Sequence, residues 1–184
     1  MTASTRSGVG LVRGINVGPT TAVAMSDLAA AFEATGLSEV RTMLRSGNVV
    51  FSTDRALDGS VSADVEAELA TRSGVAARVL LIEADEFRRV AAANPLLQVA
   101  GDFSKLVVTF LGDDGVPDEL LVPDADSIAP ELVRVGERAI YQWCPLGVSK
   151  TRLTPSFWRQ LTPAATARNW RTVLRIHGEL DTRT

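Results

Sequence analysis

Two β-prone runs joined by only two residues constrain the fold of this chain more than any other feature. The runs are residues 40–45 and 48–52, and Ser46-Gly47 separates them. A connection this short returns the chain alongside itself, so it predicts an antiparallel hairpin. The elements on either side must then be arranged around this pair of strands.

Apolar spacing and glycines predict four elements around the hairpin. They are a strand at residues 9–12, a helix from Met25 that Gly36 ends, a helix with Val61, Val65 and Leu69 inward that Gly74 ends, and a strand at residues 76–82. The resulting order is β-α-β-β-α-β. This order predicts a ferredoxin-like plait, in which two helices cover one face of a four-stranded antiparallel sheet.

The second half of the chain has a less regular pattern. It predicts, in order, a helix at 85–93, a strand at 105–111, a helical turn at 117–121, a hairpin of 132–135 with 139–143, and a short helix at 155–161. We therefore expect an α+β protein with a ferredoxin-like first half and a second, less regular ferredoxin-like half. The expected organisation is a single compact unit over residues 1–184, with subdomains at 9–82 and 83–184.

The end of the chain has the spacing of an amphipathic helix capped by Thr166. At about 100° per residue, one side collects Val173, Leu174, His177 and Leu180, and the other collects Arg168, Arg171 and Arg175. We expect the apolar side, including His177, to be buried. The arginines should face water or an acidic partner.

The net charge of −3 conceals an uneven distribution. Residues 1–149 carry 12 Lys or Arg and 20 Asp or Glu, whereas residues 150–184 carry 7 and 2. This basic tail indicates either a patch for phosphates or a segment that docks on an acidic body. The polar residues 1–8 lack the apolar core of a signal sequence, so we expect a cytoplasmic protein without a membrane segment.

The residue inventory argues against several kinds of active site. Cys144 and His177 are the only residues of their types, which excludes an internal disulfide and makes a metal site of Cys and His improbable. No Gly-x-Ser-x-Gly elbow occurs, and the glycine-rich stretch after residue 13 lacks the lysine of a phosphate-binding loop. No metal or cofactor is predicted.

A glycine-bounded loop after the first strand is the first candidate site. Arg13 and Asn16 place a guanidinium and an amide between glycines that leave backbone amides uncovered, as Gly14 and Gly18 do. Such a loop suits an anion, although an ordinary loop with a paired arginine has the same composition. The other candidates are the turn Ser46, Gly47 and Asn48, and the tail residues Arg168, Asn169, Trp170 and Thr172.

These stretches together resemble a known family. The carrying motifs are Arg13-Gly14-Ile15-Asn16-Val17-Gly18, Val40-Arg41-Thr42 followed by Ser46-Gly47-Asn48-Val49-Val50-Phe51, Asn94-Pro95, and Thr166-Ala167-Arg168-Asn169-Trp170-Arg171-Thr172-Val173. In this order they resemble the bacterial domain-of-unknown-function family 1697. The resemblance implies a small soluble α+β protein of two ferredoxin-like halves and implies no activity. Pro19, Arg45 and Arg171 depart from the residues usual in that family.

Three functions remain open from the sequence. The first is a non-catalytic module that binds an anionic small molecule or a phosphate-bearing partner between the Arg13 loop and the Arg168 segment. The second is an enzyme that uses Arg13 or Arg168 for transition-state charge and a carboxylate such as Asp27 as base. The third is a structural or protein-interaction domain whose asparagines hydrogen-bond its turns.

The first function depends on where the loop lies. We expect the loop and the Ser46-Gly47-Asn48 turn at opposite ends of the sheet, so that Asn16 and Asn48 need not share a site. The binding hypothesis then requires the tail to reach one of them.

The charge distribution predicts no tight, sequence-independent binding of duplex DNA. The basic surplus of the tail is small and adjoins an acidic body, and non-specific affinity follows the number of phosphates neutralised. Fluorescence anisotropy with a random duplex at about 150 mM salt should give no sub-micromolar binding. Retention of the duplex at that salt concentration would contradict this prediction.

Overall fold

The computed structural model describes residues 5–183. Residues 1–4, which belong to the polar N-terminal segment, and residue 184 lie outside this description. Backbone contacts divide the chain into two compact units, Met1–Arg88 with Ile176–Thr184, and Arg89–Arg175. Each unit contains one four-stranded antiparallel sheet.

The first unit has the predicted order of elements. They are β1 (Arg6–Arg13), α1 (Met25–Ala34), β2 (Ser38–Met43), β3 (Asn48–Thr53), α2 (Gly59–Ser73) and β4 (Arg78–Glu83). The sheet order is β2-β3-β1-β4, and every neighbouring pair is antiparallel. The predicted α+β class and the ferredoxin-like arrangement of this half are confirmed.

One face of this sheet packs against both helices. Phe32 of α1 and Leu69 of α2 are fully buried with Phe51 of β3 in a single apolar cluster. Asp58 fixes the start of α2, because its side chain accepts hydrogen bonds from the amides of Ser60 and Val61. The shared apolar cluster joins both helices to the sheet, and the cap fixes where α2 begins.

The opposite face of the sheet is also buried. Val9, Leu11 and Val50 alternate with the helix-facing residues of their strands, and all three have no solvent exposure. A sheet buried on both faces has no open surface on which bases could stack. This agrees with the lack of exposed aromatic residues in its strands.

The second unit repeats the βαββαβ order with shorter helices. After α3 (Ala84–Ala92), which begins in the first unit, come β5 (Leu106–Phe110), α4 (Ala125–Ile128), β6 (Leu132–Val135), β7 (Ala139–Trp143), α5 (Pro155–Trp158), β8 (Thr166–Asn169) and α6 (Trp170–Asp181). The residues of α6 from Ile176 onward belong to the first unit. The sheet order β6-β7-β5-β8 corresponds position by position to that of the first unit. The less regular ferredoxin-like second half is therefore present.

Three details of the second half differ from the sequence prediction. Residues 117–121 form turns, and the helix between β5 and β6 is α4, whose start Asp124 caps by accepting from the amide of Asp126. The predicted helix at 155–161 is a single turn. The strand β8 was not predicted at all, because it is only four residues long and contains Thr166 and Asn169, which are typical of helix caps.

The buried stripe of α6 is rotated from its predicted position. Val173, Ile176 and Leu180 are buried at a spacing of three and four residues, whereas Leu174 is 48% exposed. His177 is half-exposed and its Nδ1 lies 3.1 Å from Asp181 Oδ2. The prediction that Leu174 and His177 are buried is therefore wrong. Among residues 5–183, no helix combines the length and apolar character needed to cross a membrane.

Two glycine substitutions test the packing of α1 on the sheet. A Cβ at Gly10 would overlap the ring of Phe32, whereas a Cβ at Gly178 in α6 meets no atom within 4 Å. Gly10→Ala should lower the free energy of unfolding by about 1–3 kcal/mol because the buried ring cannot move freely. Gly178→Ala should raise it by about 0.5–1 kcal/mol through helix propensity. Urea denaturation measures both, and equal effects would contradict the packing argument.

Candidate functional site

The Arg13 loop and the Ser46-Gly47-Asn48 turn lie at the same end of the first sheet. The amide of Val12 donates to the carbonyl of Gly47 at 2.8 Å, and Asn16 Nδ2 donates to the carbonyl of Arg45 at 2.8 Å. The prediction that they lie at opposite ends is wrong. Since β1 and β2 are both antiparallel to β3, they are parallel to each other, and their C-terminal ends share one edge.

Asn16 ties the loop to its surroundings. Its Nδ2 also donates to the carbonyl of Val23 at 3.2 Å, and its Oδ1 accepts from the amide of Val23 at 3.0 Å. The residue has a φ of 55°, which asparagine tolerates better than most residues. The side chain of Asn16 is therefore used in holding the loop.

The backbone amides of the loop are already hydrogen-bonded. The hydroxyl of Thr21 accepts from the amides of Val17 and Gly18 at 3.2 and 3.1 Å, and the amide of Asn16 donates to the carbonyl of Thr21 at 2.7 Å. Gly14 has the expected positive φ of 78°, but Gly18 is extended at −173°. The expectation that Gly18 leaves its amide uncovered for an anion is therefore wrong, because the Thr21 hydroxyl accepts from it.

The turn residues are likewise structural. Gly47 has a φ of 78°, and a Cβ there would lie 2.8 Å from Cβ of Val12, so only glycine fits. Asn48 is fully buried, and its Nδ2 donates to the carbonyl of Met43 and to Ser46 Oγ, both at 3.0 Å. These bonds fix the turn between β2 and β3.

Three arginines converge on this end of the sheet. Arg13, the last residue of β1, is directly opposite Arg78 in the register with β4, and Arg45 lies in the turn bonded to Asn16. All three are exposed, and Arg78 Nη1 forms an ion pair with Glu66 at 3.0 Å. We call Arg13, Arg45 and Arg78 the arginine end. Sequence reasoning missed Arg45 and Arg78 as site residues.

The start of α1 adds backbone donors at the same edge. Its N-cap residue, Ala24, has no side chain that can accept from the first amides, and Asp27 lies in the first turn. A helix N-terminus carries partial positive charge and attracts anions. The arginines and the helix start contribute positive charge to this edge, while Asp27 and Glu66 contribute negative charge.

The tail residues form the junction between β8 and α6 in the second unit. Asn169 Oδ1 accepts from the amide of Thr172 at 2.9 Å and from its hydroxyl at 3.0 Å. Asn169 is therefore the cap of α6, and the prediction of Thr166 as cap is wrong. Trp170 is 5% exposed, as a packing residue should be.

Arg168 does not lie on an exposed helix face. It is in β8, 8% exposed, and its Nη1 donates to Thr166 Oγ1 at 2.9 Å and to the carbonyl of Ala167 at 2.8 Å. Burial lowers the pKa of the Arg168 guanidinium to about 10. The predicted solvent-facing position of Arg168 is wrong, because the strand turns its side chain inward.

A small cavity in the second unit was not indicated by the sequence. Glu131 and Cys144 line it, with Lys150 and Arg152 nearby, and its volume of about 10 Å³ suits one water molecule. Glu131 is buried and accepts from Thr151 Oγ1 at 2.8 Å and the Arg152 amide at 2.9 Å. Burial raises the pKa of the Cys144 thiol to about 12, so this thiol is a poor nucleophile. Within residues 5–183, no three His, Cys, Asp or Glu residues are grouped as metal ligands.

The comparisons with known proteins identify a family and a fold. The chain belongs to the family described as a protein of unknown function (DUF1697), whose sequence pattern matches residues 6–141. A solved structure, that of the conserved bacterial protein SP0830 from Streptococcus pneumoniae, is similar with a TM-score of 0.69 and 21% identity. The match covers 96% of this chain and 99% of that one, and at this identity it shows the fold alone. No curated protein matches the chain.

Replacing Arg168 or Arg171 by Ala tests whether Arg168 has a structural role. Arg168→Ala should lower the free energy of unfolding by more than about 1.5 kcal/mol, because it leaves a buried gap and removes donors from buried acceptors. Arg171 is 66% exposed and pairs with Asp102 at 2.9 Å. Its replacement by Ala should cost less than about 1 kcal/mol. Chemical denaturation compares the two, and a small effect at Arg168 would contradict its structural role.

Proposed function

We propose that this protein is a non-catalytic binding module for an anionic small molecule or a phosphate-bearing partner, held at the arginine end. The observation that carries the proposal is the placement of Arg13 directly opposite Arg78, with Arg45 at the same edge. Like charges in opposed positions of two strands repel each other. Glu66 offsets part of this repulsion through its ion pair with Arg78, and a bound anion relieves what remains.

The chemistry of the edge favours phosphate or another oxyanion as ligand. Guanidinium groups match the geometry of phosphate and carboxylate oxygens through paired N–H donors. The amides at the start of α1 add donors without adding mobile side chains. Exposed arginines on their own bind anions weakly, so the backbone amides at the start of α1 are needed as additional donors.

The loop that follows Arg13 is held rigidly by hydrogen bonds, which supports binding. Asn16 and Thr21 together make internal hydrogen bonds to the loop and to the hairpin turn. A preorganised loop loses less conformational entropy when a ligand binds. The loop residues of the family motif therefore act by positioning the arginines.

A purely structural or protein-interaction role is the second candidate. It is favoured by the internal hydrogen bonds of Asn16, Asn48 and Asn169, each of which fixes a turn or a helix start. In that case the arginine end has no ligand of its own. The two candidates differ in their response to anions.

Thermal unfolding in inorganic phosphate tests the proposal. If the dissociation constant is about 1 mM, then 20 mM phosphate at fixed ionic strength should stabilise the protein by about 1.8 kcal/mol. That corresponds to a rise in Tm of about 4–7 °C for a chain of this size. Arg13→Gln should remove most of this rise.

Arg6→Gln is the matched control. Arg6 lies in the same strand at its other end and pairs with Glu83 at 2.8 Å, so its replacement removes one charge without touching the arginine end. It should keep the full response to phosphate. Equal responses of the Arg13 and Arg6 variants would assign the effect to overall charge and favour the structural role.

A further inference from the structure

A polar groove runs along the outer strand of the first sheet. It has a volume of about 540 Å³ and lies beside β2 and the last turn of the chain. We call it the bulge groove, and its lining residues are Glu39, Val40, Arg41, Glu179, Thr182 and Arg183. It is large enough for a small organic ligand.

The buried side chain of Arg183 lines this groove with hydrogen-bonding capacity left over. The side chain is 10% exposed, and its Nη2 donates to the carbonyls of Glu39 at 2.6 Å and Val50 at 3.3 Å. Its Nε and Nη1 are buried and have no hydrogen-bond partner in the described part of the chain. Native proteins rarely leave such groups unsatisfied, so an acceptor is expected here.

An irregularity in β2 explains why the side chain of Arg183 lies in the bulge groove. The register with β3 shifts between Ser38 and Arg41, and Glu39 adopts a φ of 49°. A bulge of this kind leaves a carbonyl outside the ladder, and Arg183 takes it up with Nη2. Its Nε and Nη1 make no hydrogen bond to the sheet.

The charges around the groove indicate the class of ligand. Glu179 already accepts from Arg41 Nη1 at 3.0 Å and lies 3.7 Å from Arg183 Nε, and Glu39 Oε2 accepts from the Ser52 hydroxyl. The carboxylates thus have donors, while the unsatisfied groups are N–H donors. A ligand that completes the site must supply an acceptor. The charges of the two arginines and two glutamates that line the groove cancel, which disfavours a multiply charged anion as ligand.

We infer that the bulge groove binds a small organic monocarboxylate, with Arg183 and Arg41 as its principal contacts. Arg183 supplies Nη1, which has no hydrogen-bond partner among the described residues, and Nε, which lies 3.7 Å from Glu179. Arg41, whose side chain is 68% exposed, supplies charge at the rim. The carboxylate matches guanidinium geometry and adds a single negative charge. This site is separate from the arginine end and rests on different residues.

Chemical-shift titration with butyrate tests the inference. Butyrate should produce saturable shifts of the Arg183 Nε–Hε signal and of the Glu39 and Arg41 amides. Butyramide, which has a similar shape and an acceptor carbonyl but no charge, should bind more weakly than butyrate. Arg41→Gln should weaken butyrate binding about fivefold, the size expected for losing one partly exposed charge interaction.

Arg72→Gln is the matched control, because Arg72 is also a surface arginine paired with a glutamate, Glu68, at 3.2 Å. It should leave butyrate affinity unchanged, and so should Arg13→Gln, which separates this result from the phosphate test. Equal weakening by Arg41→Gln and Arg72→Gln would overturn the inference. So would an absence of saturable shifts at the groove, which would mean that water alone fills it.

Discussion

The close approach of β1 to the rings of Phe32 and Phe51 is the constraint on which the first unit depends. Gly8 and Gly10 have no side chains on the helix-facing side, and a Cβ at either position would overlap one of these rings. The rings themselves lie 5.8 Å apart, centre to centre, within the core. Because this packing sets how α1 lies on the sheet, it also sets where the chain leaves β1 and enters the helix. The packing of the core therefore determines where Arg13 and the loop after it lie.

The two units use the same strand order with unequal helices. In the first unit, helices of 10 and 15 residues cover the sheet, whereas in the second the corresponding α4 and α5 have four residues each. Single helical turns bury little surface, so the second core draws on connecting segments instead, with Leu111, Leu153 and Leu161 among its buried residues. Apolar residues in irregular segments carry no periodic signal. This is why the pattern of the second half was harder to interpret.

Local signals predicted the first unit well, while side-chain roles required the structure. The two-residue connection at Ser46-Gly47 leaves the chain one geometry, and β2 and β3 follow from it. Asn16 was expected to serve a ligand, since composition does not show that Val23 and Arg45 already use its amide. The bulge groove could not be predicted, because it joins Glu39 to Arg183 through a strand irregularity.

Burial divides the arginines into those that can exchange partners and those that cannot. Arg168 is committed to neighbours in its own strand, and moving it would leave their oxygens without donors. Arg13 and Arg45 are exposed, so a ligand competes there mainly with water and surface ion pairs, which contribute little stability. Arg183 is intermediate, since Nη2 donates to Glu39 and Val50 and Nε lies 3.7 Å from Glu179, while Nη1 has no hydrogen-bond partner among the described residues. A ligand at Arg183 would therefore complete an existing site, whereas one at the arginine end would have to assemble its site from exposed side chains of β1, β4 and the turn between β2 and β3.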